Sequence, residues 1–170
     1  MNLEEVNISA PNTNLSNLKT AGTVVINAEN ANLSGLETAN MVAIYAANAN
    51  LSGLETAGDI YIYAPNANFS SLKTAGNVFI YDNATDADLS SLETVAGVVY
   101  ITAPNVDLSS LKKANSVFIN NNAINANLSG LETVAMKVYI NAANADLRSL
   151  KTALQVVIAG KNANLGSLNQ

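Results

Sequence analysis

The sequence predicts an all-β protein, a single-domain parallel β-solenoid (β-helix) of about nine coils with 18–20 residues per coil. The first reason is that one phrase, Asn/Asp-Leu-x-x-Leu-Glu/Lys-Thr-Ala-Gly-x-Val-x-Ile, restarts along the whole chain. The second is that apolar residues keep the same place in each copy, which is typical of coils that share one core. The third is that 18 residues leave little room for a helix beside a strand. Copies open at Asn14, Asn32, Asn50, Asn68, Asp88, Asp107, Asn127, Asp146 and Asn164.

The copy that spans residues 50–67 shows how each part of a coil follows from its residues. Leu51 and Leu54 enclose a Ser-Gly pair, which predicts a bend, and Gly58 is expected to take a positive φ at a corner. The segment 60–63, Ile-Tyr-Ile-Tyr, alternates with a period of two, which predicts a strand with isoleucines inward and tyrosines outward. The Ala-Pro-Asn that follows predicts a turn.

Stacked copies predict continuous apolar columns inside the rod. Val or Ile followed two residues later by Ile supplies two columns, and the two leucines of each copy supply two more. The extra residues near positions 82–83, 96, 121–122 and 135 are expected at corners between segments. The leucine columns are Leu15, Leu33, Leu51, Phe69, Leu89, Leu108, Leu128, Leu147 and Leu165, and Leu18, Leu36, Leu54, Leu72, Leu92, Leu111, Leu131, Leu150 and Leu168.

The domain is expected to span residues 1–170, with partial coils at 1–13 and 164–170. Neither partial coil has a capping segment, although solenoids usually cap their terminal coils to keep edge strands from pairing. We therefore expect head-to-tail self-assembly into a filament, because such a contact does not close on itself. An alternative is that the chain is a fragment of a longer array. The residues expected at the assembling ends are Leu3, Val6, Ile8, Leu165 and Leu168.

An outward aromatic face is the second candidate site, because eight of the nine aromatic residues fall on one side of the predicted strands. Contiguous exposed apolar area usually marks a partner site. The partner is expected to be a protein, a carbohydrate or another copy of this chain. A structural alternative is stacking between strands, which favours β structure. The face consists of Tyr45, Tyr61, Tyr63, Phe79, Tyr81, Tyr100, Phe118 and Tyr139.

Three polar columns are expected on the other sides of the rod. A charged column mostly alternates in sign and is expected to fix the register. Pairs of Asn or Asp two residues apart predict a hydrogen-bonded amide ladder. These pairs and a file of threonines also leave ice binding as a remote alternative. The charged column is Lys19, Glu37, Glu55, Lys73, Glu93, Lys112, Glu132 and Lys151.

Composition narrows the function classes. The net charge is −5 with only eight Lys and Arg, so no basic stripe for nucleic acid is expected. The longest apolar run, 41–47, is too short for membrane insertion as a helix. The chain has no His and no Cys, so the common nucleophile–base pairs cannot form; we expect no enzyme, no cofactor and no metal site. No signal peptide is recognised at Met1.

The run Leu-x-x-Leu-x-Thr-Ala/Val-Gly/Ala-x-Val-x-Ile resembles the repeats of receptor L-domains and short leucine-rich β-solenoids of bacterial and fungal cell-surface proteins. The resemblance covers nearly the whole chain. It implies a ligand-binding or adhesion module at a cell surface, hence an extracellular location, and it carries no catalytic motif. This chain differs in having shorter coils, no cysteine caps and more Asn and Ala. Apart from this resemblance, the sequence indicates no compartment.

Overall fold

The computed structural model of the chain describes residues 1–166 and 168, and it confirms an all-β parallel solenoid. Nine long strands form one parallel sheet, each strand paired with the long strand of the next coil. At about 4.8 Å per strand, the stack is a rod of roughly 40 Å. The long strands are β1 (Asn2–Ile8), β2 (Thr20–Ile26), β3 (Thr38–Ile44), β4 (Thr56–Ile62), β5 (Thr74–Ile80), β6 (Thr94–Ile101), β8 (Lys113–Ile119), β10 (Thr133–Ile140) and β12 (Thr152–Ile158).

A second, narrower face runs along the Asn/Asp pairs. In the first five coils it consists of single parallel bridges, from Asn14 with Asn32 to Asn68 with Asp88. In the later coils it becomes a parallel sheet of four three-residue strands. The same residue pattern therefore takes two backbone forms in one rod. The short strands are β7 (Asn105–Asp107), β9 (Asn125–Asn127), β11 (Asn144–Asp146) and β13 (Asn162–Asn164).

The core consists of the predicted columns. Every member of the second leucine column from Leu18 to Leu150 is at most 1% exposed, and Phe69 is 0% exposed within the first column. Val24 and Ile26, like their counterparts in the following coils up to Val138 and Ile140, point inward and are also 0% exposed. Leu15, Leu165 and Leu168 are only partly buried, because they belong to the terminal coils. No helix in the described part of the chain is long and apolar enough to cross a membrane.

Two expectations about the insertions and corners were wrong. The extra residues near Ala96 and Ala135 do not lie at corners; they are bulges within β6 and β10, where the register shifts against the neighbouring strands. A bulge absorbs one additional residue while the inward alternation resumes after it. The insertions near 82–83 and 121–122 do lie in turns, as expected.

Gly58 was also expected to take a positive φ at a corner, and this was wrong. Gly58 lies inside β4, and among the described glycines only Gly166 has a positive φ. A Cβ at Gly58 would lie 2.1 Å from the carbonyl oxygen of Asn40, so the glycine allows two backbones to approach closely. The left-handed corner residue is instead an Asn or Asp, which adopts that conformation more readily than other side chains. These residues are Asn12, Asn30, Asn48, Asn66 and Asp86, with φ between 56° and 61°.

Candidate functional site: the aromatic face and the terminal coils

The aromatic face is divided into two columns. The outer tyrosine stack consists of Tyr45, Tyr63 and Tyr81, each of which directly follows the last isoleucine of a long strand. Ring centroids in this stack are 4.7 Å and 4.2 Å apart, and the rings are within 7° of parallel. Beside it lies the strand aromatic column, which consists of Tyr61, Phe79, Tyr100, Phe118 and Tyr139 within the long strands. The ring centroids of Tyr61 and Phe79 are 4.8 Å apart in this column. Parallel pairing without a register shift places identical positions one above another.

Tyr100 interrupts both columns. Its ring is tilted by 45° to Phe79 and by 50° to Tyr81, with centroid distances of 6.2 Å and 6.1 Å. Beyond Tyr100, the strand aromatic column continues in register through Phe118 and Tyr139. All eight predicted residues therefore lie on one side of the rod, but the regular stacking ends at Tyr100.

The rings are less exposed than a free apolar face would be. Tyr45, at one end of the outer tyrosine stack, is 52% exposed, whereas the other seven are half-buried. In the stacked part of the face, neighbouring rings cover each other's faces. A partner would therefore contact mainly ring edges and hydroxyl groups, except where a stack ends.

The surroundings of two tyrosines on this face raise the pKa of their phenol groups. The neighbouring hydroxyl of Tyr81 raises the pKa of Tyr63, and burial raises it further. Burial raises the pKa of Tyr61, and the carboxylate of Asp59 adds to the shift because an ionised phenol would be repelled by it. Both tyrosines thus remain neutral hydrogen-bonding groups at physiological pH.

Two protruding loops stand beside the aromatic face. Each is a tight turn made by a two-residue insertion: the Ala84 N–H donates to the Tyr81 carbonyl at 2.8 Å, and the Ala123 N–H donates to the Asn120 carbonyl at 3.0 Å. The loops come from alternate coils, and Asn122 Nδ2 donates to Asp82 Oδ2 across the intervening coil at 3.1 Å. Together with Tyr63, Tyr81 and Tyr100 they line an open recess of about 580 Å³.

The predicted amide ladder is present on the narrower face. Each Nδ2 donates to the Oδ1 of the equivalent residue in the preceding coil, at 3.0–3.1 Å from Asn30 to Asn66 and at 2.8–3.1 Å from Asn125 to Asn162. Asp86 lies between the two parts of the ladder, and a carboxylate has no N–H to donate. The amides largely satisfy one another, which supports their structural role over ice binding.

The second residue of each Asn/Asp pair has a different role. Its Oδ1 accepts the backbone N–H two residues later, at 3.0–3.1 Å, in all nine copies. This turn needs only an acceptor, so Asp serves as well as Asn. At Asp146 the guanidinium of Arg148 also bonds the carboxylate and lowers the pKa of Asp146. In the charged column, the described residues form two ion pairs: Lys19 with Glu37 and Lys151 with Glu132, both at 2.6 Å.

The terminal coils differ in how much apolar surface they leave open. Val6 and Ile8 are already buried, at 5% and 3% exposure, and Leu3 is 39% exposed. In the first coil Met1 is 59% exposed, and on β12 of the last coil Leu154 is 75% and Ile158 is 44% exposed. Sequence reasoning missed the exposure of Leu154 and Ile158, although Leu154 stands out as a leucine where most copies have glycine or asparagine.

No protein-family model, curated protein or solved structure matches this chain. The structure confirms a repeat β-solenoid. The likeness to receptor L-domains, by contrast, rests on the repeat pattern of the sequence alone. Residues 1–166 and 168 contain no group of three carboxylates that could hold a metal ion.

Proposed function

We propose that this chain is a non-catalytic structural repeat protein whose terminal coils stack head to tail on those of further copies to form a filament. The observation that carries the proposal is the uncovered strand β12. Ile158 is 44% exposed, whereas Ile140, at the same position one coil earlier, is 0% exposed. A coil of a solenoid is stabilised by its neighbours on both sides, so β12 favours a further coil above it.

The direction of the hydrogen bonds supports a head-to-tail arrangement. In the amide ladder, each coil donates to the coil before it, so among the described residues Asn162 keeps an available Oδ1 and Asn12 an available Nδ2. On the long-strand side, the residue after the last isoleucine donates to the preceding coil, as when Ala159 N–H donates to the Ile140 carbonyl at 2.7 Å. Ser9 N–H of a second copy can therefore donate to the Ile158 carbonyl. On the narrower face, some backbone N–H groups donate to the following coil instead, as when Leu147 N–H donates to the Asn164 carbonyl at 2.7 Å. In the amide ladder, stacking two identical ends would oppose donor to donor or acceptor to acceptor.

The strand register also specifies which residues would meet. Asn2 pairs with Thr20 and Val6 with Val24, so β1 of a second copy continues the stack with Asn2 on Thr152 and Val6 on Val156. Ile8 then covers Ile158. Charge favours the same direction, because β1 carries Glu4 and Glu5, whereas the last coil carries Lys151 and Lys161. Opposite charges at the two ends steer association rather than determine its strength.

A matched pair of variants tests the proposal. Ile158→Lys places a charge on the open β12 edge, and Ile124→Lys places the same charge at a site of similar exposure, 52%, in a loop on the side of the rod. Sedimentation velocity and negative-stain electron microscopy over a concentration series measure particle length. We expect rods that lengthen with concentration for the wild-type chain and Ile124→Lys, but single rods for Ile158→Lys. Single rods of the wild-type chain at every concentration would contradict the proposal.

A second candidate function is ligand binding at the aromatic face, as the resemblance to receptor L-domains implies. The observation that favours it is the recess beside Tyr81, where both insertions and three aromatic residues lie together. In the regular stack, by contrast, ring faces are occupied by one another. Replacing Phe118 with Ser, away from this recess, would test whether the rest of the face also takes part: binding should persist if the recess is the site.

A further inference from the structure

We propose that the recess between the outer tyrosine stack and the two protruding loops binds a neutral pyranose ring of an oligosaccharide. This inference rests on the second candidate function and names its ligand and its position. It does not depend on filament formation, because the recess lies on the side of the rod and the filament contacts lie at its ends.

The recess exists because the outer tyrosine stack lacks its next member. Tyr63, Tyr81 and Thr102 occupy the same position in successive coils, since their N–H groups donate to Ile44, Ile62 and Ile80 at 2.9–3.0 Å. Thr102 is too small to cover Tyr81 as Tyr81 covers Tyr63. The tilted ring of Tyr100, 6.1 Å from that of Tyr81, closes one side of the space without filling it in parallel. A six-membered ring that enters this space with one face toward Tyr81 would contact the uncovered side of Tyr81.

The other walls of the recess are polar. The lining groups beside the tyrosines are Asp82, Thr102, Asn120 and Asn122, together with the neighbouring loop residues. Asn and Thr side chains each offer donors and acceptors, and Asp82 offers further acceptor capacity. The bond between Asn122 and Asp82 holds the two loops in one arrangement. Preorganised groups of this kind reduce the cost of ordering the site on binding.

This combination selects the class of ligand. A pyranose has apolar C–H faces that pack on an aromatic ring and hydroxyls around its rim that need hydrogen-bond partners, and an aromatic floor with polar walls meets both needs. The recess contains no Lys or Arg, so an anionic sugar or phosphate has no counter-charge there. A cation site usually surrounds the cation with several ring faces, but this recess offers only the uncovered face of Tyr81, since the other face is covered by Tyr63. A volume of about 580 Å³ is within the range of small-ligand sites.

Binding can be tested with four neutral hexasaccharides as probes: those of β-linked glucose, N-acetylglucosamine, mannose and xylose. Saturation-transfer NMR and calorimetry at millimolar probe concentrations measure binding to the intact chain. Thr102→Tyr adds the absent ring to the stack, and Tyr81→Ser removes the floor; both positions face outward, so the core is unchanged. Tyr45→Ser is the matched control, because Tyr45 belongs to the same stack but does not line this recess. Circular dichroism verifies that each variant keeps its β structure.

We expect at least one probe to bind saturably, with the dissociation constant raised about tenfold or more by Thr102→Tyr and by Tyr81→Ser and unchanged by Tyr45→Ser. Absence of binding by all four probes would overturn the inference. So would binding that Thr102→Tyr leaves intact, or binding that Tyr45→Ser weakens as much as Tyr81→Ser does. Sedimentation velocity of Thr102→Tyr measures filament formation independently of saccharide binding. A failure of the saccharide site can therefore be distinguished from a failure of self-assembly.

Discussion

Replacing Asn48 and Asn144 by glycine and by alanine separates the hydrogen bonds of the amide ladder from the shape of the backbone. Both residues are exposed and make the same two ladder bonds, at 3.0 Å for Asn48 and at 3.0 and 3.1 Å for Asn144. Their backbones differ: Asn48 has a φ of 61°, whereas Asn144 lies in the short strand β11. We predict that the order of stability of the glycine and alanine variants reverses between the two sites.

The size of the reversal follows from two terms. All four variants lose the same pair of exposed hydrogen bonds, each worth about 0.5–1.5 kcal/mol. Glycine costs about 0.5–1 kcal/mol relative to alanine through the unfolded chain at either site. At Asn48 alone, alanine also pays the left-handed penalty of about 1–2 kcal/mol. At each site, the unfolding free energy of the alanine variant is subtracted from that of the glycine variant. When the value for Asn144 is then subtracted from the value for Asn48, the unfolded-state term cancels. The remainder is about 1–2 kcal/mol, the left-handed penalty itself.

The assay is urea denaturation of the four variants, monitored by circular dichroism. Thermal midpoints serve as a second measure. For a chain of this length, 1 kcal/mol corresponds to about 2–4 °C in the midpoint. We expect glycine to be the more stable variant at Asn48 and alanine at Asn144. The same order at both sites would show that the two backbones do not differ as described, and the reasoning would be refuted.

Two further predictions concern the core and the tyrosines. Leu92→Ala should lower the unfolding free energy by about 3 kcal/mol or more because Leu92 is 0% exposed. Leu154→Ala, at a site that is 75% exposed, should leave the unfolding free energy of a monomeric sample nearly unchanged. Similar denaturation midpoints for the two variants would contradict the packing described for Leu92. The pKa of Tyr63 is raised by Tyr81, so its contribution to stability is complete below the unfolded-state value of about 10 and is lost as the pH rises above it. Tyr63→Phe should therefore lose less stability than the wild-type chain between about pH 9 and about pH 11 in urea denaturation, and equal losses would count against this assignment.

The fold was predictable because the repeat constrains it many times over. Val24 and Ile26 have counterparts in all nine coils, and only one stacking register turns all of them toward the core at once. Slipping one coil by a single residue would turn its inward side chains toward solvent. The repeated pattern of this one chain is therefore sufficient to specify the stacking register.

The local backbone was less predictable, because one residue type can serve two geometric needs. Gly58 was interpreted as a corner glycine, but it is required by the carbonyl of Asn40 in the neighbouring coil. That contact joins residues 18 positions apart and appears only when the coils are stacked. The left-handed conformation had a signal in the sequence, because an Asn or Asp recurs at the same place after each turn. That signal was not sufficient, since Asn105 and Asn144 occupy the same place but lie in extended strands.

The candidate sites show the same division. Spacing alone placed the eight aromatic residues on one side, and all eight lie there. It did not reveal that they form two columns or that Tyr100 tilts between Phe79 and Tyr81. Nor did it show that Asp82 and Asn122 meet, because they come from alternate coils, 40 residues apart. The available signal was that both loops carry an insertion of two residues and that Thr102, between them, replaces a tyrosine.

The sequence by itself determined the architecture: an all-β solenoid with its coil length, its inward columns, its amide ladder and the side that carries the aromatic residues. These features repeat, so each is specified by short-range spacing that every copy restates. Only the tertiary structure decided the features that occur once, such as the recess beside Tyr81 and the uncovered Ile158 on β12. They arise where neighbouring coils differ, and the result of that difference depends on how side chains from separate coils pack together.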